Sequence, residues 1–256
     1  MKKTFLAASS LFLVFLVWII ASMSVDNPLL LPGPLAVFMA MGNIVTKTDS
    51  LSAIGATLLR LTLAMTIALI LGLLLGVIAG IKPNFGRFMQ PIVSILRTVP
   101  VISIVVILLI IFGFSKTPYI ITFLMIFPLI YQAISDGIKN IDQELIDVYR
   151  LEDNHFFSGI WYCYLPLIKE SIKTAFLQSA GLGIKVLIMA EYLSQTQISI
   201  GNQLYLEKIN LNYDYVFGWT AILIMIAVIL ETIIERYAKK RETGKANIVN
   251  KGLKFD

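Results

Sequence analysis

Four charged side chains interrupt or border otherwise apolar runs: Arg60, Arg97, Lys185 and Glu191. An ionisable group at membrane depth is costly enough that it pairs, faces water or marks an ion path. Three bases against one acid leave a surplus of +2, which favours passage of a small anion. Arg60 can also snorkel to the outer surface and Arg97 to the inner one, leaving Lys185 and Glu191 to find partners on neighbouring helices. With Pro100, which frees a backbone carbonyl beside Arg97, the residues Arg97, Lys185 and Glu191 are the candidates for lining a translocation path. No catalytic set accompanies them. The chain has one histidine, His155, and one cysteine, Cys163, so neither a metal cluster nor an internal disulfide is expected. Gly244-Lys245 is followed by Ala246 and lacks the upstream glycine of a phosphate-cradling loop. The chain is therefore expected to be no enzyme, to bind no cofactor and to leave ATP to another protein.

The elements that carry these charges follow from composition. Of 256 residues 57% are apolar and 14% charged, against roughly 45–50% and about 25% in soluble domains, so a bilayer is the natural solvent. Crossing its hydrocarbon core takes about 20 apolar residues in a helix. Runs at residues 4–25, 61–81, 98–115 and 117–135 carry no charge, and weaker runs at 174–194 and 215–234 contain Lys185, Glu191 and Glu231. Their continuous apolar character predicts helices rather than barrel strands, hence an all-α polytopic membrane protein with six transmembrane helices. The net charge of +5 does not point to nucleic acid, because the bases lie scattered between the runs.

Those bases set the topology. Segments 1–3, 82–88, 136–173 and the tail after Glu235 hold fifteen Lys and Arg, whereas the outer pieces hold only Lys47, Lys116 and Lys208. The positive-inside rule places both termini in the cytoplasm, with the basic tail against anionic lipid headgroups. The expected organisation is an N-terminal membrane helix over 1–25, an extracytoplasmic segment over 26–52, a membrane core over 53–236 and a cytoplasmic tail over 237–256. Segments 26–52 and 195–213 are the outer surfaces large enough to dock a protein. In the second span Gly72, Gly76 and Gly80 form two overlapping GxxxG steps, which predict close helix packing.

The cytoplasmic segment 136–173 is too long to be a mere connection. Residues 142–152 have a helical apolar spacing, giving a short amphipathic helix that either lies on headgroups or enters a groove on a partner. This segment resembles the coupling loop of binding-protein-dependent ABC importer permeases: an acidic residue, two small residues, three more, a glycine, and a Leu-Pro ending thirteen residues further on. Glu144 opens the segment, Asp147 stands at the acid, Val148 and Tyr149 at the small pair, Asp153 at the glycine and Leu165-Pro166 at the end. Val148, Tyr149 and Asp153 depart from the pattern, and an aspartate closes a helix turn less cheaply than glycine. Over residues 26–240 the order of Pro32-Gly-Pro34, Thr57-Leu-Leu-Arg60, Arg97-Thr-Val-Pro100, Phe112-Gly113, Ala190-Glu191 and Ile200-Gly201 is similar to the nitrate, sulfonate and taurine branch.

The resemblance implies a type I ABC importer permease with a MetI-like core in a bacterial inner membrane. It further implies a second permease copy as homodimer partner, an extracytoplasmic binding protein, and ABC ATPase subunits that hold ATP and Mg and push on the 144–166 loop. A small anion is the expected solute. A pyrimidine precursor of thiamine is the alternative within the branch. An ATP-independent secondary transporter is the alternative outside it, although no internal repeat is visible.

Overall fold

The computed structural model describes the backbone of residues 2–25, 27, 29–152 and 156–252, and side chains over 6, 9–10, 12–25, 27, 29–149, 151, 158–233 and 236. Among these residues there is no strand. The helices are α1 (Lys2–Val25), α2 (Pro34–Thr46), α3 (Thr48–Ile81), α4 (Pro83–Thr98), α5 (Val101–Lys139), α6 (Gln143–Glu152) and α7 (Phe156–Gly159). A π-helical turn (Ile160–Tyr164) leads into α8 (Leu165–Leu167), followed by α9 (Lys169–Ser194), α10 (Ile200–Ile209) and α11 (Tyr213–Gly252). Four segments are long and apolar enough to cross a membrane: α3, α5, α9 and Tyr213–Ile233 of α11; Phe12–Val25 and Pro34–Thr46 are shorter apolar helical stretches.

Over the expected third span, 98–115, the helix is shorter at both ends. Pro100 forces the preceding Val99 out of the helical region, to φ −67° and ψ 130°, so α4 ends at Thr98 as a helix of its own. At Gly113 the backbone takes φ 75° and ψ 178°, a conformation essentially confined to glycine, and α5 breaks there into residues 101–112 and 114–139. The first half, at 1.5 Å per residue, is about 18 Å long, less than the hydrocarbon thickness. Helix α11 continues through the basic segment to Gly252.

The chain divides into two compact units. The first comprises residues 1–58 and 191–226. Its core joins Ile44, Ile200, Trp219 and Ile222. Gly218 lets α2 come close, a Cβ there lying 3.1 Å from Ile44 Cδ1 and 3.4 Å from Ala40 Cβ. The indole N–H of Trp18 donates to the Pro32 carbonyl at 3.2 Å and ties α1 to the turn before α2.

The second unit comprises residues 59–190 and 227–256. Here Gly72, Gly76 and Gly80 of α3 face the second half of α5. A Cβ at Gly72 would lie 2.7 Å from Ile130 Cγ2, at Gly76 2.9 Å from the Tyr131 carbonyl oxygen, and at Gly80 2.6 Å from Ile138 Cβ. Real Cβ atoms do not come that close, so the helices pack with backbone against side chain, as small-residue steps allow.

Candidate functional site

The loop 140–168 belongs to the second unit, and its two ends lie close together. A Cβ on Gly137 would be 2.8 Å from Ser171 Oγ and 3.5 Å from Ile168 Cβ, so the end of α5 and the start of α9 are packed together beneath the loop. Asp142 opens α6 by accepting the Glu144 N–H at 3.1 Å, a capping bond that satisfies one of the orphan donors of the first turn. Ile146 is buried and anchors the helix, whereas Glu144, Leu145, Asp147 and Val148 are exposed and Leu151 is 88% exposed. Tyr149 is half-buried; its hydroxyl meets Ser158 Oγ at 3.0 Å and bridges α6 to α7. Asp153 lies outside the described residues. Trp161 and Tyr162 add exposed aromatic surface just before Leu165-Pro166. Pro166 has no N–H to offer the carbonyls behind it, and the Leu165 N–H reaches back five residues to Ile160, which makes the turn π-helical.

Arg97 stands in the last turn of α4, and its guanidinium donates to Gln132 Oε1 on α5. The two residues line a cleft of about 400 Å³ together with Arg87, Ser94, Ser135 and Asp136. Gln132, Ser135 and Asp136 recur at three and four residues inside an apolar run, so they share one helix face, and that spacing was the signal in the sequence. Pro100 caps the first half of α5, its carbonyl accepting from Ser103 and Ile104 at 3.1 and 3.3 Å. Lys185 is exposed on α9 between the buried Ile184 and Val186.

Glu191 is fully buried in the first unit. Thr57 donates its hydroxyl to the carboxylate, 2.9 Å from Oε2 and 3.1 Å from Oε1, and itself accepts the Ile200 N–H at 3.1 Å. The Gly201 N–H donates to Glu191 Oε2 at 3.3 Å, and the Asn202 N–H to Ser199 Oγ at 3.0 Å. The first three amide donors of α10, which no helix can satisfy internally, thus each find a side-chain oxygen. A carboxylate at the positive end of the helix adds a favourable charge–dipole term. Thr57 and Ser199 were missed as site residues, because a single Thr or Ser in an apolar run carries no periodic signal.

On the same unit Lys47 Nζ lies 5.2 Å from the centre of the Tyr215 ring and Lys208 Nζ 5.8 Å from that of Tyr192. Hydrogen bonding to Tyr192 raises the Lys208 ammonium above its usual range. The two lysines lie on the segments expected to face outward, and their rings at the adjoining ends of the fifth and sixth expected spans.

Comparison with known proteins gives two matches. The model of the family described as binding-protein-dependent transport system inner membrane component matches residues 68–241. The chain is also 25% identical over 220 residues to the taurine transport system permease protein TauC of Escherichia coli strain K12, which covers 84% of this chain and 80% of that protein.

Proposed function

This chain belongs to the family of binding-protein-dependent transport system inner membrane components, and we propose that it forms the path for a small anionic solute, of the sulfonate or taurine type, in an ATP-driven importer. It is an importer permease of the nitrate, sulfonate and taurine branch and a multi-pass inner-membrane protein. The proposed solute class draws on the taurine permease relative and on the excess of base along the spans.

Coupling is assigned to the 144–166 loop, with Glu144, Asp147, Val148, Tyr149, Leu165 and Pro166 as its working residues and Asp153 at the sequence position of the family's glycine. The observation that carries this assignment is the combination of exposed Leu145, Val148 and Leu151 on α6 with a loop base clamped at Gly137 and Ser171. An exposed apolar face is the kind of surface a groove on a partner covers. A push on that face is transmitted to α5 and α9, because the clamp leaves no slack between them. ATP and Mg belong to the partner ATPases, a binding protein delivers the solute from outside, a second copy of the chain completes the membrane path, and both termini face the cytoplasm. Path residues are Arg97 and Pro100, with Lys185 presented outward from α9 to the aqueous or partner side. Glu191 acts through its bonds to Thr57 and Gly201, as a positioning residue for α10.

The test is affinity purification of the tagged chain from mild detergent, with mass spectrometry of what remains bound. The proposal requires a P-loop ATPase that is lost when Asp147 and Leu165 are replaced. Recovery of the chain without an ATPase, together with uptake indifferent to ATP, would overturn it.

A further inference from the structure

The cleft between α4 and the second half of α5 carries more charge and more unspent hydrogen-bonding capacity than packing requires. Arg87, Arg97 and Lys139 line it with a single acid, Asp136. Asp136 is taken by Lys139 at 3.7 Å, so the surplus rests on the two guanidinium groups. Arg97 spends one of its five N–H donors on Gln132 Oε1, which leaves the other donors of the fork for a ligand. Ser135, on the wall of the same cleft, is 2% exposed, and its hydroxyl has no hydrogen-bond partner among the described residues. A buried hydroxyl is normally satisfied, and in a helix a serine can bond the carbonyl four residues back; Ser135 does neither. The volume of about 400 Å³ falls within the range of small-molecule sites.

We propose that this cleft is an oxyanion site, in which Arg97 holds a sulfonate or phosphate group, Ser135 Oγ donates to one of its oxygens, and Arg87, about 15 Å away along α4, adds positive charge from the other end of the cleft. Planar guanidinium forks match such groups better than ammonium ions do, and a hydroxyl donor adds orientation that charge alone lacks. The lining of the cleft reaches Pro83, at the end of α4 that the charge distribution assigns to the cytoplasm. Two sources supply this chemistry there: the transported solute on its way out, which rests on the proposed import, and the phosphate of an inner-leaflet lipid headgroup.

The experiment uses the full chain purified in phosphate-free maltoside detergent, with radiolabelled inorganic sulfate as probe. Saturable binding in the range up to about 10 mM is expected. Arg97→Gln should weaken it about tenfold, Ser135→Ala, which leaves the charge untouched, about fivefold, and Arg87→Gln, which acts through charge at a distance, less than either. Lys208→Gln should leave it unchanged. Competition by methanesulfonate with no effect of added phosphatidylglycerol assigns the site to the solute; displacement by phosphatidylglycerol assigns it to lipid. Absence of saturable binding overturns the proposal, as does equal weakening by Lys208→Gln or indifference to Ser135→Ala. Recovery of the ATPase with a sulfate-blind chain sinks this site alone, whereas sulfate binding by a chain that recovers no ATPase sinks the importer reading alone.

Discussion

Glu191 and Gly201 fit each other on two counts: the Gly201 N–H donates to Oε2 at 3.3 Å, and a Cβ at position 201 would lie 2.5 Å from the Glu191 Cβ. The glycine is there for its missing side chain and the glutamate for its acceptor oxygens. Together with Thr57 they fasten the start of α10 to α3 and α9 within one unit.

Gly201→Ala should therefore destabilise the protein strongly, because its Cβ would run into the backbone nitrogen of Tyr192, which has nowhere to go. Overpacking of this kind costs about 1–3 kcal/mol. Glu191→Ala should cost a similar amount by stranding the Gly201 N–H and the Thr57 hydroxyl, and Glu191→Gln, which keeps an acceptor, distinctly less. Thermal unfolding followed by fluorescence-detected size exclusion should rank the variants in that order; a Gly201→Ala melt equal to the parent would refute the fit.

On α3 two glycines should respond with opposite sign. Gly76→Ala places a methyl group 2.9 Å from the Tyr131 carbonyl oxygen and should destabilise by about 1–3 kcal/mol. Gly55→Ala meets nothing within 4 Å and should stabilise by about 0.5–1 kcal/mol through helix propensity. Melting temperatures of the two variants in the same detergent decide the matter.

Gly113→Ala should lower the yield of folded protein although the position is open, since the constraint is the backbone φ of 75° and not space. The strain is about 1–3 kcal/mol. A circular-dichroism melt shifted down with helix content retained is the expected result; an unshifted melt would mean that the break at 113 is not required.

For the loop, Leu151→Ser and Val148→Ser should leave the melt within about 0.5 kcal/mol of the parent, because both side chains are exposed in the isolated chain. Recovery of the ATPase partner should nevertheless fall. Ile146→Ser should instead lower stability, since that side chain is buried. Equal ATPase recovery from the two exposed-site variants would count against α6 as the contact.

Much of this architecture was legible because apolar length and positive charge are properties of composition that survive without tertiary context. The all-α class, the runs that became α3, α9 and α11, and the amphipathic α6 follow from windows of residues. The ends of the third run were legible only to within a few residues because hydropathy is blind to the backbone: Val99 and Gly113 are as compatible with an apolar run as any neighbour, and the proline after one and the positive φ of the other end the helices there. Arg97 was recognised as a charge out of place. Gln132, which accepts from it, and Ser135 beside it were passed over, although their three-residue spacing on one face of an apolar run was the available signal. Thr57 and Ser199 acquire their roles only when segments far apart in the chain meet.

The π-helical turn before Pro166 gives the loop a register that counts residues. Because the Leu165 N–H bonds five residues back, one residue more is wound into that turn than an α-helix would hold. Each residue of an α-helix advances about 100° around the axis. Deleting one of residues 160–164 would thus let the turn close as an α-helix and leave the elements on either side in phase, whereas most single deletions in a helix rotate one flank by that angle. The stretch behaves as an angular buffer, able to give up one residue without turning what it joins.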